Sequence, residues 1–143
     1  MKTPVYFISD IHLHLDLDSD ERKRREKLYR LFDTIKSTGG TCFFLGDLFD
    51  FYFEYSHVIP KSYFDFYNKA QELRKSGIKL YFLAGNHDYW VGDYIKNTVM
   101  DKVYLGDNII KINGKRFYLT HGDGLLSWDH GYRLLKKVIR SKL

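Results

Sequence analysis

The sequence is poor in cysteine and proline and contains no long apolar stretch. Its 143 residues include one cysteine, Cys42, and two prolines. A lone cysteine cannot form an internal disulfide, which agrees with a reducing compartment. There is no run of about 18 apolar residues to cross a bilayer and no apolar signal region after Met1. We therefore expect a cytoplasmic globular protein.

Internal repeats, low-complexity tracts and Ser/Pro-rich linkers are also missing, so nothing marks a domain boundary. Aromatic residues make up 17% of the chain, which is typical of a packed core. A chain of this length buries roughly two thirds of its unfolded surface. The sequence thus predicts one domain over residues 1–143.

The formal charge is +5, from 23 basic and 18 acidic residues. One basic cluster covers residues 22–25, and the other comprises Lys136, Lys137, Arg140 and Lys142. We interpret the first cluster as the solvated face of a helix, because the apolar stripe of that helix lies elsewhere. Anionic partners are compatible with this charge, but we expect no nucleic acid.

Four short apolar runs, residues 5–8, 42–45, 80–83 and 116–119, predict buried strands. A helix near 20–38 with Ser19 as its N-cap separates the first two. A second helix, opened by Pro60 and ended by Gly77, precedes the third. This β-α-β-α-β alternation favours a parallel sheet.

The pattern changes beyond Trp90. A short helical piece to about Val99 and a strand over 103–105 come first. Strands over 109–112 and 116–119 follow, joined by Asn113-Gly114, a hairpin signal. Residues 129–143 predict a basic amphipathic helix, which either packs on its own domain or rests on an anionic membrane surface.

Each of the four apolar runs is followed by residues that bind divalent metals. The segments are Asp10-Ile11-His12, Gly46-Asp47-Leu48-Phe49-Asp50, Gly85-Asn86-His87-Asp88 and His121-Gly122-Asp123. Ligands in open α/β sheets sit outside the carboxyl ends of the strands, so we expect these groups to converge. Oxygen and nitrogen donors without thiolates suit Mn, Fe, Zn or Co. The sequence therefore predicts a dinuclear metal centre with Mn as the expected metal and without Cys42 as a ligand.

The donor types fit such a centre. Alternation along an extended strand end would point Asp10 and His12 to one side. The two carboxylate oxygens of Asp47 can bridge two ions, while Asn86 adds a neutral oxygen and His121 an imidazole. Two ions about 3.5 to 4 Å apart activate a bridging water and hold phosphoryl oxygens.

In this order the motifs resemble the calcineurin-like metallophosphoesterase superfamily over nearly the whole chain. The resemblance implies an α/β fold of the αββα sandwich type. It also implies that one metal ion is bound by Asp10, His12 and Asp47, and the other by Asp47, Asn86 and His121.

The resemblance gives His87 a catalytic role, in stabilising the transition state or protonating the leaving group, with Asp88 orienting its ring. Residues 45–51, 85–90 and 120–124 look like those of UDP-2,3-diacylglucosamine hydrolases of lipid A synthesis. The implied products are UMP and 2,3-diacylglucosamine 1-phosphate. Such a lipid-linked nucleotide sugar would favour peripheral contact with the cytoplasmic face of the inner membrane.

The superfamily pattern continues with a Gly-His-x-His segment that nothing in this chain matches. We therefore expect the amino-terminal portion of a longer enzyme, with the carboxy-terminal part of the sandwich missing and residues 125–143 beginning a helical cap insertion. These 143 residues alone are expected to be inactive. The alternatives are a phosphodiesterase or phosphomonoesterase for another nucleotide, or a non-catalytic half-site module.

Several polar residues near the motifs have simpler interpretations. His14 and His57 fall in polar loops and are expected at the surface. Asp50 and Asp123 are expected to accept hydrogen bonds from ligand imidazoles rather than bind metal themselves. The aromatic run over residues 49–55 is expected to pack in the core or form a lid, with a path for acyl chains as the alternative.

Overall fold

The computed structural model describes residues 1–123 together with Gly131 and Leu134. The strands are β1 (Val5–Ile8), β2 (Thr41–Leu45), β3 (Lys79–Leu83), β4 (Lys102–Tyr104), β5 (Asn108–Ile112) and β6 (Lys115–Leu119). The helices are α1 (Ser19–Thr38) and α2 (Phe64–Lys75), with a 3-10 turn over Lys61–Tyr63 and a π-helical turn over Ile95–Val99.

Strands β1 to β4 form one parallel sheet in the order β1-β2-β3-β4, and β5 and β6 form an antiparallel hairpin. The predicted parallel sheet and the predicted hairpin are both confirmed. The hairpin turns at Asn113 and Gly114, whose φ angles are 48° and 79°. Two left-handed residues are typical of the type I′ turn that matches the twist of the flanking strands.

Alternation along the strands sends side chains to two apolar layers. Cys42 and Phe44 of β2 belong to the core shared with α1 and α2. Phe43, between them, packs with Ile110 and Leu119 of the hairpin. The described part of the chain is therefore a layer of helices, a parallel sheet and a second layer of antiparallel strands, consistent with a calcineurin-like α/β fold.

The N-cap of α1 is Asp18 and not Ser19. The Asp18 carboxylate accepts from the backbone N–H groups of Asp20, at 3.0 Å, and Glu21, at 2.8 Å. A carboxylate satisfies the unpaired N–H groups of the first turn and also favours its positive end. The prediction was therefore wrong by one residue.

Of the strands predicted as buried, β6 is largely exposed and β1 is only half-buried. In β6 only Leu119 is buried, and Tyr118 is 61% exposed. In β1, at the edge of the sheet, Phe7 is 43% exposed. A strand with a continuous apolar run is buried on both sides only if other elements cover both faces of its sheet. The described hairpin buries a single face against the sheet.

The basic cluster over residues 22–25 is more than a solvated helix face. The side chain of Arg25 is only 3% exposed, and its guanidinium donates to the carboxylates of Glu21, at 2.8 Å, and Asp65, at 2.6 Å. It also donates to the carbonyl of Ser62 at 2.6 Å, so it joins α1 to the start of α2. A buried guanidinium is tolerated because its donors are paired.

No helix in the described ranges is long and apolar enough to span a bilayer. The predicted helix over 129–143 and the predicted start of a cap insertion over 125–143 lie outside the described residues, apart from Gly131 and Leu134. Both of these residues are helical and exposed.

Candidate metal centre

The loops after β1, β2 and β3 and the segment after β6 bring metal-binding side chains together. Two clusters of three residues form, one of His12, Asp47 and His87 and the other of Asp10, Asp47 and His121. In each cluster the candidate ligand atoms all lie within 4.8 Å of one another. Asp47 belongs to both clusters, so one carboxylate is shared by two candidate cation sites.

The shared carboxylate faces two imidazoles through the same oxygen atom. Oδ2 of Asp47 lies 3.3 Å from Nε2 of His121 and 3.6 Å from Nε2 of His12. Oδ1 accepts from the backbone N–H of His87 at 3.1 Å. Burial raises the pKa of this carboxyl, but the bonds from His121 and from the His87 N–H outweigh it, and the net pKa is lowered. Asp47 is therefore ionised at neutral pH.

His121 is oriented by a backbone group. Its Nδ1 lies 3.0 Å from the carbonyl oxygen of Leu45, so Nδ1–H donates there and Nε2 is turned to Asp47 and to the side-chain oxygen of Asn86, at 3.2 Å. The hydrogen bond to Asp47 raises the pKa of His121 to about 9. The proton held between Nε2 and two oxygens occupies a position that a cation could take instead.

Two motif glycines allow these side chains to approach. A Cβ built on Gly46 would lie 2.4 Å from Nδ1 of His121, and one on Gly85 would lie 2.1 Å from Oδ1 of Asp47. Gly46 also has a φ of 90°, which only glycine adopts without strain. The sequence indicated a tight turn at Gly46. It did not indicate that both glycines lie against side chains distant in sequence and leave no room for a Cβ.

Asp50 lies between the two imidazoles of the other cluster. Its Oδ1 is 3.4 Å from Nδ1 of His12 and 3.6 Å from Nδ1 of His87, and its carbonyl oxygen is 2.6 Å from the latter nitrogen. The two rings are nearly perpendicular, with centroids 4.8 Å apart. Asp50 thus lies where a residue that orients ligand imidazoles is expected, behind the Nδ1 atoms.

Asp10 and His12 do not lie on an extended strand end, so the prediction that strand alternation points both side chains to one side was wrong. Strand β1 ends at Ile8, and Asp10 and His12 have φ angles of 53° and 46°. The two side chains leave a left-handed loop and enter different clusters, each of which contains Asp47. Non-glycine residues in this region cost about 1 kcal/mol or more each. That cost is offset where neighbouring contacts determine the backbone.

Some of these contacts come from the loop after β2. The N–H groups of Asp10, His12 and Leu13 donate to the carbonyls of residues 46, 47 and 48 at 3.2, 2.9 and 2.9 Å. The N–H of Asp50 donates back to the carbonyl of Leu13 at 3.0 Å. The first two metal-binding segments therefore lie side by side as one hydrogen-bonded unit.

Asp88 contacts backbone rather than the ring of His87. Its fully buried carboxylate accepts from four N–H groups, those of Gly85 at 2.8 Å, Leu48 at 2.7 Å, Phe49 at 3.2 Å and Asp47 at 3.3 Å. Burial raises its pKa to about 6. The expected orientation of His87 by Asp88 is replaced by orientation through Asp50, and Asp88 instead joins the second and third motif loops.

Glu54 was missed at the sequence level. Its carboxylate accepts from the backbone N–H of Tyr94 at 2.9 Å and from the hydroxyl of Tyr52, and it lies against Gly92. Residues 54–59 and 92–94 line an open cleft of about 510 Å³ beside it. His57 lines this cleft, in agreement with its expected surface position. A single glutamate in an aromatic run gives no signal of such a contact.

A family model described as calcineurin-like phosphoesterase matches residues 3–140. The chain belongs to this family. The match covers every residue placed in the two clusters.

The names of the curated relatives specify a reaction as well as a family. A UDP-2,3-diacylglucosamine hydrolase from Porphyromonas gingivalis is 33% identical over 144 residues, covering 97% of this chain and 55% of that protein. One from Aeromonas salmonicida is 32% identical over 144 residues, covering 95% of this chain and 52% of that protein. The chain thus spans about half the length of these relatives. A solved protein of unknown function from Aquifex aeolicus has a TM-score of 0.48 at 18% identity, over 94% of this chain and 70% of that one.

Proposed function

We propose that the protein is a dinuclear metal-dependent hydrolase that cleaves the pyrophosphate of UDP-2,3-diacylglucosamine. The products would be UMP and 2,3-diacylglucosamine 1-phosphate. The observation that carries the metal-dependent chemistry is the sharing of Asp47 by two three-residue clusters. The specific substrate is supported by the names of the relatives, which are about 30% identical to this chain.

The proposed ligands are Asp10, His12, Asp47, Asn86 and His121, with Asp47 as the bridge. His87, the third member of the cluster that contains His12, is proposed to act on the substrate instead of binding a metal ion. Carboxylate, imidazole and amide donors without a thiolate fit Mn²⁺, and also Fe, Zn or Co. When bound, two such ions supply an activated water and a clamp on the phosphoryl oxygens. The protein side chains contribute the fixed spacing of the donors.

His87 is proposed to contact the substrate directly. Its side chain is 40% exposed, so a phosphate group can reach it. Because Nδ1 lies 2.6 Å from the carbonyl oxygen of Asp50, that nitrogen is engaged and Nε2 is left to face the substrate. A positioned imidazole at this place can stabilise charge on the transferred phosphoryl group or protonate the leaving oxygen.

We also propose that the protein acts in the cytoplasm, with peripheral contact at the inner membrane where an acylated substrate lies. Phe51, Phe53 and Trp90, which follow the second and third metal-binding segments in the sequence, have exposed side chains. Exposed apolar side chains of this kind would suit a substrate with acyl chains. Within the aromatic run over residues 49–55, the burial of Phe49 and Tyr52 instead supports a core role.

The test is release of UMP from UDP-2,3-diacylglucosamine by purified full-length protein over a series of Mn²⁺ concentrations. EDTA-treated protein is the control, and a cyclic nucleotide and a simple phosphomonoester are the comparison substrates. We expect metal-dependent release of UMP. Absence of UMP at every metal concentration would overturn the proposed substrate, and turnover of a comparison substrate alone would favour another nucleotide phosphoesterase. From the 143-residue chain alone we expect weak metal binding and no hydrolysis.

A further inference from the structure

The loop that carries Asp10 and His12 contacts helix α1 as well as the loop after β2. Three carbonyl groups of the loop accept hydrogen bonds from two arginines of α1. Nη2 of Arg24 donates to the carbonyl of Ile11 and, at 3.0 Å, to that of His12. Nη2 of Arg25 donates to the carbonyl of His14 at 2.7 Å. The loop is therefore held by two neighbours, the loop after β2 and helix α1.

Glu21 fixes the direction of both guanidinium groups. Its side chain is fully buried and accepts from Nη1 of Arg24 at 3.0 Å and from Nε of Arg25 at 2.8 Å. It also accepts from the backbone N–H of His14 at 3.1 Å. A planar guanidinium with several donors can hold two carbonyls at once while a carboxylate sets its orientation.

The two carbonyls bound by Arg24 lie in the left-handed part of the loop. His12 itself has a φ of 46°, and Ile11 lies between it and Asp10, whose φ is 53°. Fixing both carbonyl directions fixes the peptide planes on either side of His12 and so the direction of its Cα–Cβ bond. The imidazole then reaches Asp47 with an Nε2–Oδ2 distance of 3.6 Å.

We propose that Arg24 is a positioning residue that holds His12 in the geometry needed to bind a metal ion. This inference rests on the proposed metal centre. Arg25 is less suited to a test of this role, because its side chain is only 3% exposed and also joins the two helices. The side chain of Arg24 is 41% exposed. Replacing Arg24 therefore disturbs the loop more than the core.

Charge and positioning predict opposite effects for the loss of Arg24. A positive charge near a cation site repels the cation, so its removal should tighten metal binding if charge alone acts. If Arg24 instead orients His12, its removal should weaken binding, although a repulsive charge is lost. The sign of the change in metal affinity separates the two roles.

The experiment measures Mn²⁺ binding to full-length protein by calorimetric titration for Arg24→Met, Arg24→Lys and the exposed control Arg22→Met. We expect Arg24→Met to weaken binding of one ion by roughly 10- to 100-fold, the usual effect of losing a group that orients a ligand, and to leave the other ion unchanged. Arg24→Lys, with one ammonium in place of the fork, should show a smaller loss. Arg22→Met should bind both ions like the wild type.

Wild-type or tighter binding by Arg24→Met would overturn the role of Arg24. If that variant does not fold by circular dichroism, Arg24→Lys decides, and undiminished affinity for both ions would then overturn it. His12→Ala, measured in the same series, tests the centre itself. If the wild type binds no Mn²⁺, or if His12→Ala binds like the wild type, the metal centre is overturned together with the role of Arg24.

Discussion

Oδ2 of Asp47 lies 3.3 Å from Nε2 of His121, a residue that follows the last described strand. The same oxygen faces His12 from the first loop. One carboxylate thus receives side chains from both ends of the described chain. Its position makes Asp47 the residue on which a dinuclear centre would depend most.

Asp47→Asn should therefore remove metal binding at both sites. An amide cannot supply the negative charge that two cations share, and its NH₂ group would face an imidazole. In the full-length protein used for the UMP assay, we expect bound Mn²⁺ to fall well below two ions per protein. Hydrolysis should drop by at least about 100-fold, as expected for the loss of a central electrostatic group. Elemental analysis and a UMP-release assay measure the two effects. The exposed Asp33→Asn is the control, and two retained ions in Asp47→Asn would contradict the prediction.

The sequence could predict that the metal-binding segments lie at the carboxyl ends of the parallel strands, because each of these segments directly follows a predicted strand. Apolar runs before Asp47 and Asn86 define β2 and β3, and parallel strands end at one edge. Strand burial was less predictable. Tyr118 lies in an aromatic run like that of the buried Phe43 and Phe44 of β2, yet the described hairpin packs against the sheet through one face only and leaves Tyr118 exposed.

The local geometry of the site could not be predicted for a different reason. The left-handed φ angles at Asp10 and His12 are imposed by partners distant in sequence, in the loop after β2 and on α1. A local sequence pattern cannot predict contacts with partners that are distant in sequence. The same holds for Asp88, whose four backbone donors come from two separate loops.

Gly85→Ala tests whether close packing positions the shared carboxylate. The added Cβ would lie 2.1 Å from Oδ1 and 2.5 Å from the backbone nitrogen of Asp47, so the second and third motif loops must move apart. We expect at least a tenfold loss of Mn²⁺ affinity, since small displacements of ligands are costly. Gly106→Ala is the matched control, because a Cβ there meets no atom within 4 Å. Equal affinities of the two variants, by calorimetric titration, would count against this packing role.

Asp101 provides a pH-dependent contribution to stability away from the metal centre. Burial raises the pKa of this carboxyl, but the hydrogen bonds from the Leu80 N–H, at 2.9 Å, and from Lys79, at 2.9 Å, outweigh burial and the net pKa is lowered. A carboxyl with a lowered folded-state pKa stabilises the fold above its unfolded pKa. That stabilisation is lost as the pH falls through the folded-state value.

Asp101→Asn should thus lower the free energy of unfolding by about 1 kcal/mol at pH 7. The difference from the wild type should shrink as the pH falls below the pKa of this carboxyl in the unfolded chain and toward its lower folded-state pKa. Urea unfolding at pH 7, 5 and 3 measures it. A difference that stays constant over this range would show that the charge of Asp101 is not what stabilises the fold.

Asn86→Asp tests why a neutral oxygen is present beside His121. The side-chain oxygen of Asn86 lies 3.2 Å from Nε2 of His121, so an aspartate of the same shape would add a third carboxylate to the cluster that already contains Asp10 and Asp47. Added negative charge should hold cations more tightly but make them poorer electrophiles toward a phosphate and repel the anionic substrate. We expect Mn²⁺ affinity equal to or above that of the wild type, with kcat lowered by at least about tenfold, roughly 1.4 kcal/mol of transition-state stabilisation. Asn68→Asp, on the exposed side of α2, makes the same charge change away from the site. Weaker metal binding by Asn86→Asp, or unchanged kcat, would show that the charge at this position does not tune the reaction.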